Sequence, residues 1–161
     1  DKPLQDIIIN NTNNYSWLGK YLNFVNWLFI IPLIYNKNRL KNITYFVKMF
    51  SIFIGIRIIT VVVTLMPKSR RSCKIPKSFI KYFNGYCCDL IFSGHTTFAI
   101  LGVLVASHLH VIEPSVLVWL ILILYSIFIV LARNHYTVDI ILSYLIVIPI
   151  FHHIKDYEIF Y

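Results

Sequence analysis

Charge is scarce in this chain: of its 161 residues 14% are charged, with seven Asp or Glu set against fifteen Lys or Arg. A soluble domain of this length could bury a core, but its helices would need polar faces, and the stretch from Val116 to Leu131 has almost none. Amphipathic periodicity is missing as well. The apolar residues, 58% of the chain, fall in long blocks instead of recurring at a helix or strand spacing. Cysteine is rare, and Cys73, Cys87 and Cys88 all lie in one connecting segment. An odd number without zinc-ligand spacing argues against both a disulfide framework and a structural zinc site. A bridge from Cys73 to Cys87 or Cys88 requires that segment to face an oxidising lumen, and free thiols at a membrane surface fit equally well. The chain also starts at Asp1 without a methionine, and its polar first dozen residues do not form a cleavable signal. A fragment or trimmed form whose beginning is missing is therefore expected.

What is there is the composition of a polytopic membrane protein, an all-α transmembrane helical bundle. The net charge of +8 raises the question of nucleic acid, but the basic residues sit in short segments between apolar blocks, where they meet lipid phosphates or anchor span ends. No nucleic-acid partner is expected. Five segments approach the length of about 20 residues needed to cross the hydrocarbon: Trp17 to Tyr35, Ile43 to Met66, Thr96 to Val111, Ser115 to Ala132 and Val138 to Ile154. Each is predicted to be helical, because the bilayer core offers backbone groups no water. Asn36 to Asn42 and Ile112 to Pro114 read as tight connections, and Pro67 to Phe92 as the one long polar loop.

Counting crossings puts the N-terminal tail, the Pro67 to Phe92 loop and the Arg133 to Thr137 turn on one membrane face, called face A. The other two connections and the C-terminal tail fall on face B. His95, His135 and Asp139 then share a face and a depth. Lys68, Arg70, Arg71, Lys74, Lys77 and Lys81 on face A outnumber the basic residues of face B, so the positive-inside rule places face A in the cytoplasm. The acceptor patterns Asn10-Asn11-Thr12 and Asn14-Tyr15-Ser16 point the other way, being usable for glycosylation only on a lumenal face.

Ionisable groups at the edge of a lipid-embedded bundle carry a desolvation penalty and need a reason to be there. His135 and Asp139 are four apart at a helix start, so the carboxylate can accept a hydrogen bond from one ring nitrogen and leave the other as a nucleophile. A purely structural ion pair has the same spacing. Ser93-Gly94-His95-Thr96 sits where a polar loop enters a helix, so free N–H groups and the positive helix end favour a phosphate there. Gly94 permits close approach of an anion, and His95 could protonate a departing alkoxide; alone, it would read as an interfacial anchor. Arg133 and Arg57 are candidate phosphate ligands with forked donors, Arg57 alternatively forming a salt bridge within the bundle. Asp89 either anchors Arg133 or caps the helix start. His108, His110, His152 and His153 fall on face B and read as interfacial, without the company a metal site needs.

Taken together, Cys88-Asp89-Leu90-Ile91-Phe92-Ser93-Gly94-His95-Thr96 and Ala132-Arg133-Asn134-His135-Tyr136-Thr137-Val138-Asp139 resemble the two signature segments of the sphingomyelin synthase family, a branch of the type 2 phosphatidic acid phosphatase superfamily. Pro3-Leu4-Gln5-Asp6 is similar to that family's Pro-Leu-Pro-Asp, and Arg57-Ile58-Ile59-Thr60 with Val63-Thr64-Leu65-Met66-Pro67 to the motif closing its third span. The resemblance implies six spans, of which the five seen are the second to sixth, and residues 1–161 as one integral-membrane catalytic domain lacking its first span. It implies a triad of His95, His135 and Asp139 and a lumenal or exoplasmic catalytic face in Golgi, endoplasmic reticulum or plasma membrane, to which the residue types themselves add expected phosphate contacts from Arg133, Arg57, Ser93, Gly94 and Asp89. The implied reaction moves phosphocholine from phosphatidylcholine to ceramide through a phosphohistidine, without metal or cofactor; relatives transfer phosphoinositol or phosphoethanolamine. Phospholipid donor and ceramide or another lipid alcohol are the expected partners, and a homo-oligomer is left open. Cys87-Cys88-Asp89 in place of Cys-Gly-Asp, Asn134 in place of an acidic residue and Gln5 in place of proline leave the triad intact but put headgroup choice in doubt. Two rivals remain: a lipid phosphate phosphatase, whose usual Lys-x6-Arg-Pro motif is missing here, and an inactive membrane relative.

Overall fold

The structure, a computed structural model, describes residues 6–13, 15–63 and 92–157. Residues 64–91 lie outside it, and with them Asp89, the three cysteines and all six basic residues assigned to the face A loop. The described residues are helical, without strands, as the composition predicts. Numbered along the described chain, the helices are α1 (Ile7–Asn11), α2 (Leu22–Leu28), α3 (Ile31–Tyr35), α4 (Arg39–Val63), α5 (Gly94–His108), α6 (Val116–Leu131) and α7 (Thr137–Ile154).

The first expected span, Trp17 to Tyr35, is built from pieces: a 3₁₀ segment over Ser16–Tyr21, then α2 and α3. Pro32 explains the break between the two α-helices. Its ring clashes with the carbonyl four residues earlier and it donates no hydrogen bond. The chain therefore tightens to three-residue bonds, with Phe29 N–H on Asn26 O and Ile30 N–H on Trp27 O, both at 3.2 Å. The second span begins at Arg39, four residues before the expected Ile43, which shortens the connection after α3.

Among the described residues three helical stretches are long and apolar enough to cross a membrane, Trp17–Tyr35, Arg39–Thr60 and Thr137–Ile154. The other two expected spans are shorter: α6 has 16 residues and α5 has 15. At 1.5 Å per residue each falls short of a hydrocarbon core of about 30 Å. The reason differs between them. Helix α5 packs against α2, α4, α6 and α7 and is buried without interruption from Ala99 to Ala106, so it is the axis of the bundle and meets little lipid. Helix α6 instead presents Val116, Leu117, Leu120, Ile123, Leu124 and Ile127 outward, an apolar surface suited to lipid.

Closest approach occurs at Gly102 of α5. A Cβ there would lie 2.8 Å from the carbonyl oxygen of Phe29, so the α2–α3 break rests directly on the axis helix. Helices α5 and α6 both end with a non-glycine residue in the left-handed region, His110 at φ 52° and Arg133 at φ 54°. At the end of α6, Arg133 N–H bonds Val130 O at 2.8 Å and Asn134 N–H bonds Ile129 O at 3.3 Å, the paired closure of a Schellman turn. That turn leads straight into His135.

Candidate active site

Helices α5 and α7 pack side by side, and both start at the same end of the bundle. Ser93 caps α5: its hydroxyl accepts from Thr96 N–H at 3.2 Å and from the Thr96 hydroxyl at 2.9 Å. Asp139 plays the corresponding part for α7, its Oδ2 accepting from Tyr136 N–H at 2.8 Å. One side chain links the two starts. The Ser143 hydroxyl accepts from Ser93 N–H at 3.1 Å and lies 2.8 Å from the carbonyl of Asp139, to which it can donate.

These helix starts bring the two histidines together, with ring centroids 6.2 Å apart and planes inclined at 64°. His135 is 5% exposed and Asp139 is fully buried behind it. His135 Nδ1 stands 3.5 Å from Asp139 Oδ2, an ion-pair approach longer than a good hydrogen bond. The expected pairing is therefore present in a looser form, because the same carboxylate oxygen also closes the first turn of α7. His95 is held from the other side, where its Nε2–H donates to Asn23 Oδ1 at 3.0 Å.

Arg57 reaches this place from α4. Its Nη1 donates to the carbonyl of Phe92, and a Cβ on Gly94 would lie 3.0 Å from that nitrogen. It is also close enough to His95 and Asp139 to act on both electrostatically. A guanidinium thus packs against the first turn of α5 at a glycine, groups whose donors could act on an anion.

Ser93 and Arg133, both expected as phosphate contacts, bond within the protein. Ser93 is fully buried and its hydroxyl is used in capping. Arg133 turns toward the N-terminal segment, where Nη2 donates to Ile9 O at 2.9 Å and to Thr12 O at 3.0 Å. The cause is the left-handed backbone at Arg133, which re-aims its side chain across α1. An L-residue in that conformation costs roughly 1–2 kcal/mol, offset here by two charge-assisted hydrogen bonds. Asp89 lies outside the described residues.

Sequence reasoning missed Asn23, Ser143 and the role of Asp6. Asn23 carried a signal, being a polar side chain inside an apolar span. Ser143, one helical turn beyond Asp139, carried a fainter one. Asp6 was noted only as part of a motif, yet it is buried and bonds across the fold to Thr137.

What the arrangement can do follows from its dimensions. Two imidazoles 6.2 Å apart centre to centre can act on one substrate atom, one ring as nucleophile and the other as proton donor. Among the described residues no group of three or more His, Cys, Asp or Glu converges in a way that could hold a metal ion.

Residues 86–157 match the PAP2 superfamily C-terminal family, a stretch that contains His95, His135, Asp139 and Ser143. The chain is similar, at 33% identity over 127 residues, to a protein of Trypanosoma cruzi (strain CL Brener) named phosphatidylinositol:ceramide inositolphosphotransferase. That match covers 68% of this chain but 37% of the relative, so the chain spans little more than a third of it. No solved structure matches this chain.

Proposed function

We propose that this chain is the catalytic part of a PAP2-type phosphosphingolipid synthase, an integral-membrane enzyme that moves a phospholipid headgroup with its phosphate onto the primary hydroxyl of ceramide. The observation that carries the reading is the pair of facing imidazoles, 6.2 Å apart, with a buried carboxylate behind one of them.

In the first step a ring nitrogen of His135 attacks the phosphorus of the donor. The bond from phosphorus to the diacylglycerol oxygen breaks, and His95 gives that oxygen its proton. The headgroup then rests on His135 as a phosphohistidine, whose positive ring Asp139 stabilises. In the second step His95 takes the proton of the ceramide hydroxyl, its oxygen attacks phosphorus, and the bond to His135 breaks. Arg57 and the first N–H groups of α5 stabilise the charge on the non-bridging oxygens in both steps.

The name of the Trypanosoma relative favours phosphoinositol as the headgroup, whereas the motif resemblance implies phosphocholine. The catalytic face is read as lumenal or exoplasmic, following the same resemblance. The test incubates the full-length protein in liposomes with ceramide and, separately, labelled phosphatidylinositol, phosphatidylcholine or phosphatidylethanolamine, and identifies products by mass. A headgroup-bearing ceramide with an equal amount of diacylglycerol is expected from one donor. Release of the headgroup phosphate into water with no ceramide product would replace the synthase with a hydrolase.

A further inference from the structure

His135 sits at the middle of a short turn, between a residue in left-handed backbone and the first residue of α7, and such a turn has little intrinsic rigidity. Both of its ends are tied to the same distant segment. On one side Arg133 Nη2 donates to the carbonyls of Ile9 and Thr12, at the C-terminal end of α1. On the other, Asp6 accepts from Thr137 N–H at 2.6 Å through Oδ2 and from the Thr137 hydroxyl at 3.0 Å through Oδ1. Asp6 also caps α1, with Oδ1 taking Ile8 N–H at 3.0 Å and Ile9 N–H at 3.1 Å. One buried carboxylate thus closes the positive ends of two helices at once. Between these ties α1 is a five-residue crossbar, seated on the bundle by the buried side chain of Ile9.

From this geometry we propose that the segment 6–12 is a strap that fixes the reactive ring of His135, with Asp6 and Arg133 as positioning residues that never touch substrate. The ties are two hydrogen bonds on each flank of the histidine. The ring that must meet phosphorus is buried, and its partner Asp139 is fixed by the first turn of α7, the same turn that Asp6 holds. A shift of the turn would carry His135 away from Asp139 on one side and from His95 on the other. A misplacement of about 1 Å in such a constellation costs on the order of 100-fold in rate. The catalytic consequence rests on the reading of His135 as nucleophile; the structural part stands without it.

The test uses the full-length protein in nanodiscs with two variants that fail in different ways. Asp6→Asn removes the charge shared by the two helix starts. Arg133→Gly removes the guanidinium while relieving the left-handed backbone, so it keeps the turn foldable. For each, headgroup transfer is measured over a range of lipid concentrations, with the melting temperature, and the ring signals of ¹⁵N-labelled histidine are recorded without substrate. The expected result is a kcat lower by about 10- to 100-fold with KM nearly unchanged, and His135 ring signals displaced in both variants while those of His108 and His152 stay. Wild-type kcat with an unmoved His135 signal would overturn the proposal. So would a loss of kcat matched by a loss of folded protein, with the remaining folded fraction showing wild-type His135 signals. If wild-type protein transfers no headgroup, the functional reading fails by itself, and the His135 signals still decide for or against the strap.

Discussion

Asp139 does two jobs through one oxygen, and a substitution that keeps one of them separates fold from chemistry. Asparagine in its place is isosteric, and its amide oxygen can still accept from Tyr136 N–H, as Asp139 Oδ2 does at 2.8 Å. The start of α7 should therefore survive, with stability within about 1 kcal/mol of wild type, the usual scale of a cap. The chemistry should not survive. In the proposed mechanism the His135 ring becomes positive as it bonds to phosphorus, and the carboxylate stands 3.5 Å from Nδ1. At an effective dielectric of about 20, unit charges at that distance attract by roughly 4.7 kcal/mol. Losing that attraction in the transition state lowers the rate about 10³-fold, at 1.36 kcal/mol per tenfold. The assay is single-turnover formation of the phosphohistidine from a headgroup-labelled donor, with Asp139→Ala alongside as the variant that also loses the cap. Melting temperature in detergent is followed in parallel. If Asp139→Asn forms the intermediate within tenfold of the wild-type rate, the carboxylate is a helix cap and nothing more, and the reasoning is refuted.

Gly94→Ala places a methyl 3.0 Å from Arg57 Nη1 and 3.4 Å from Cζ, while Arg57 is tethered to the Phe92 carbonyl. The guanidinium must yield by a few tenths of an ångström, and kcat should fall by about tenfold with little change in melting temperature; unchanged kcat would remove Arg57 from the proposed phosphate contacts. Gly102→Ala acts on stability alone, since its methyl meets the Phe29 carbonyl at 2.8 Å and neither backbone can move freely. Overpacking of about 1–3 kcal/mol should exceed the helix-propensity gain of about 1 kcal/mol, so the melting temperature drops; a raised value would show that α2–α3 does not bear on α5.

Fold class and the meeting of the histidines were legible because they depend on composition and on counting. Apolar blocks set the helices, and the parity of crossings put His95 and His135 at one end, where the structure finds them in contact. Helix ends were legible to within a few residues, with Pro32 the exception inside a span. The direction of the Arg133 side chain was not legible, for a physical reason. Its side chain follows a left-handed backbone that no local motif announces, since glycine is the residue usually found there. Asp6 and Thr137 are 131 positions apart in the chain, and no periodicity connects them. Asn23 and Ser143 were readable in principle, as polar residues in apolar spans, but their partners were not.

The polar groups of the site cluster at the starts of two parallel helices, and that placement resolves a conflict between lipid and chemistry. A carboxylate, two imidazoles and a guanidinium inside an apolar bundle would each need a partner. At a helix start the backbone supplies unpaired N–H groups, so Asp139 Oδ2 and the Ser93 hydroxyl each accept from the turn they close, while Asp139 Oδ1 is buried without a hydrogen-bond partner among the described residues. Ser143 extends the same economy across the interface: placed one turn along α7, it satisfies the buried Ser93 N–H, which a capping residue cannot satisfy for itself. That bond joins α7, which follows the turn bearing His135, to the start of α5, which bears His95, so the packing of α5 on α7 and the ties of the His135 turn to residues 6–12 together set the distance between the rings. On the proposed function a lipid phosphate would meet these groups at the rim of the bundle, above the buried contacts that hold them.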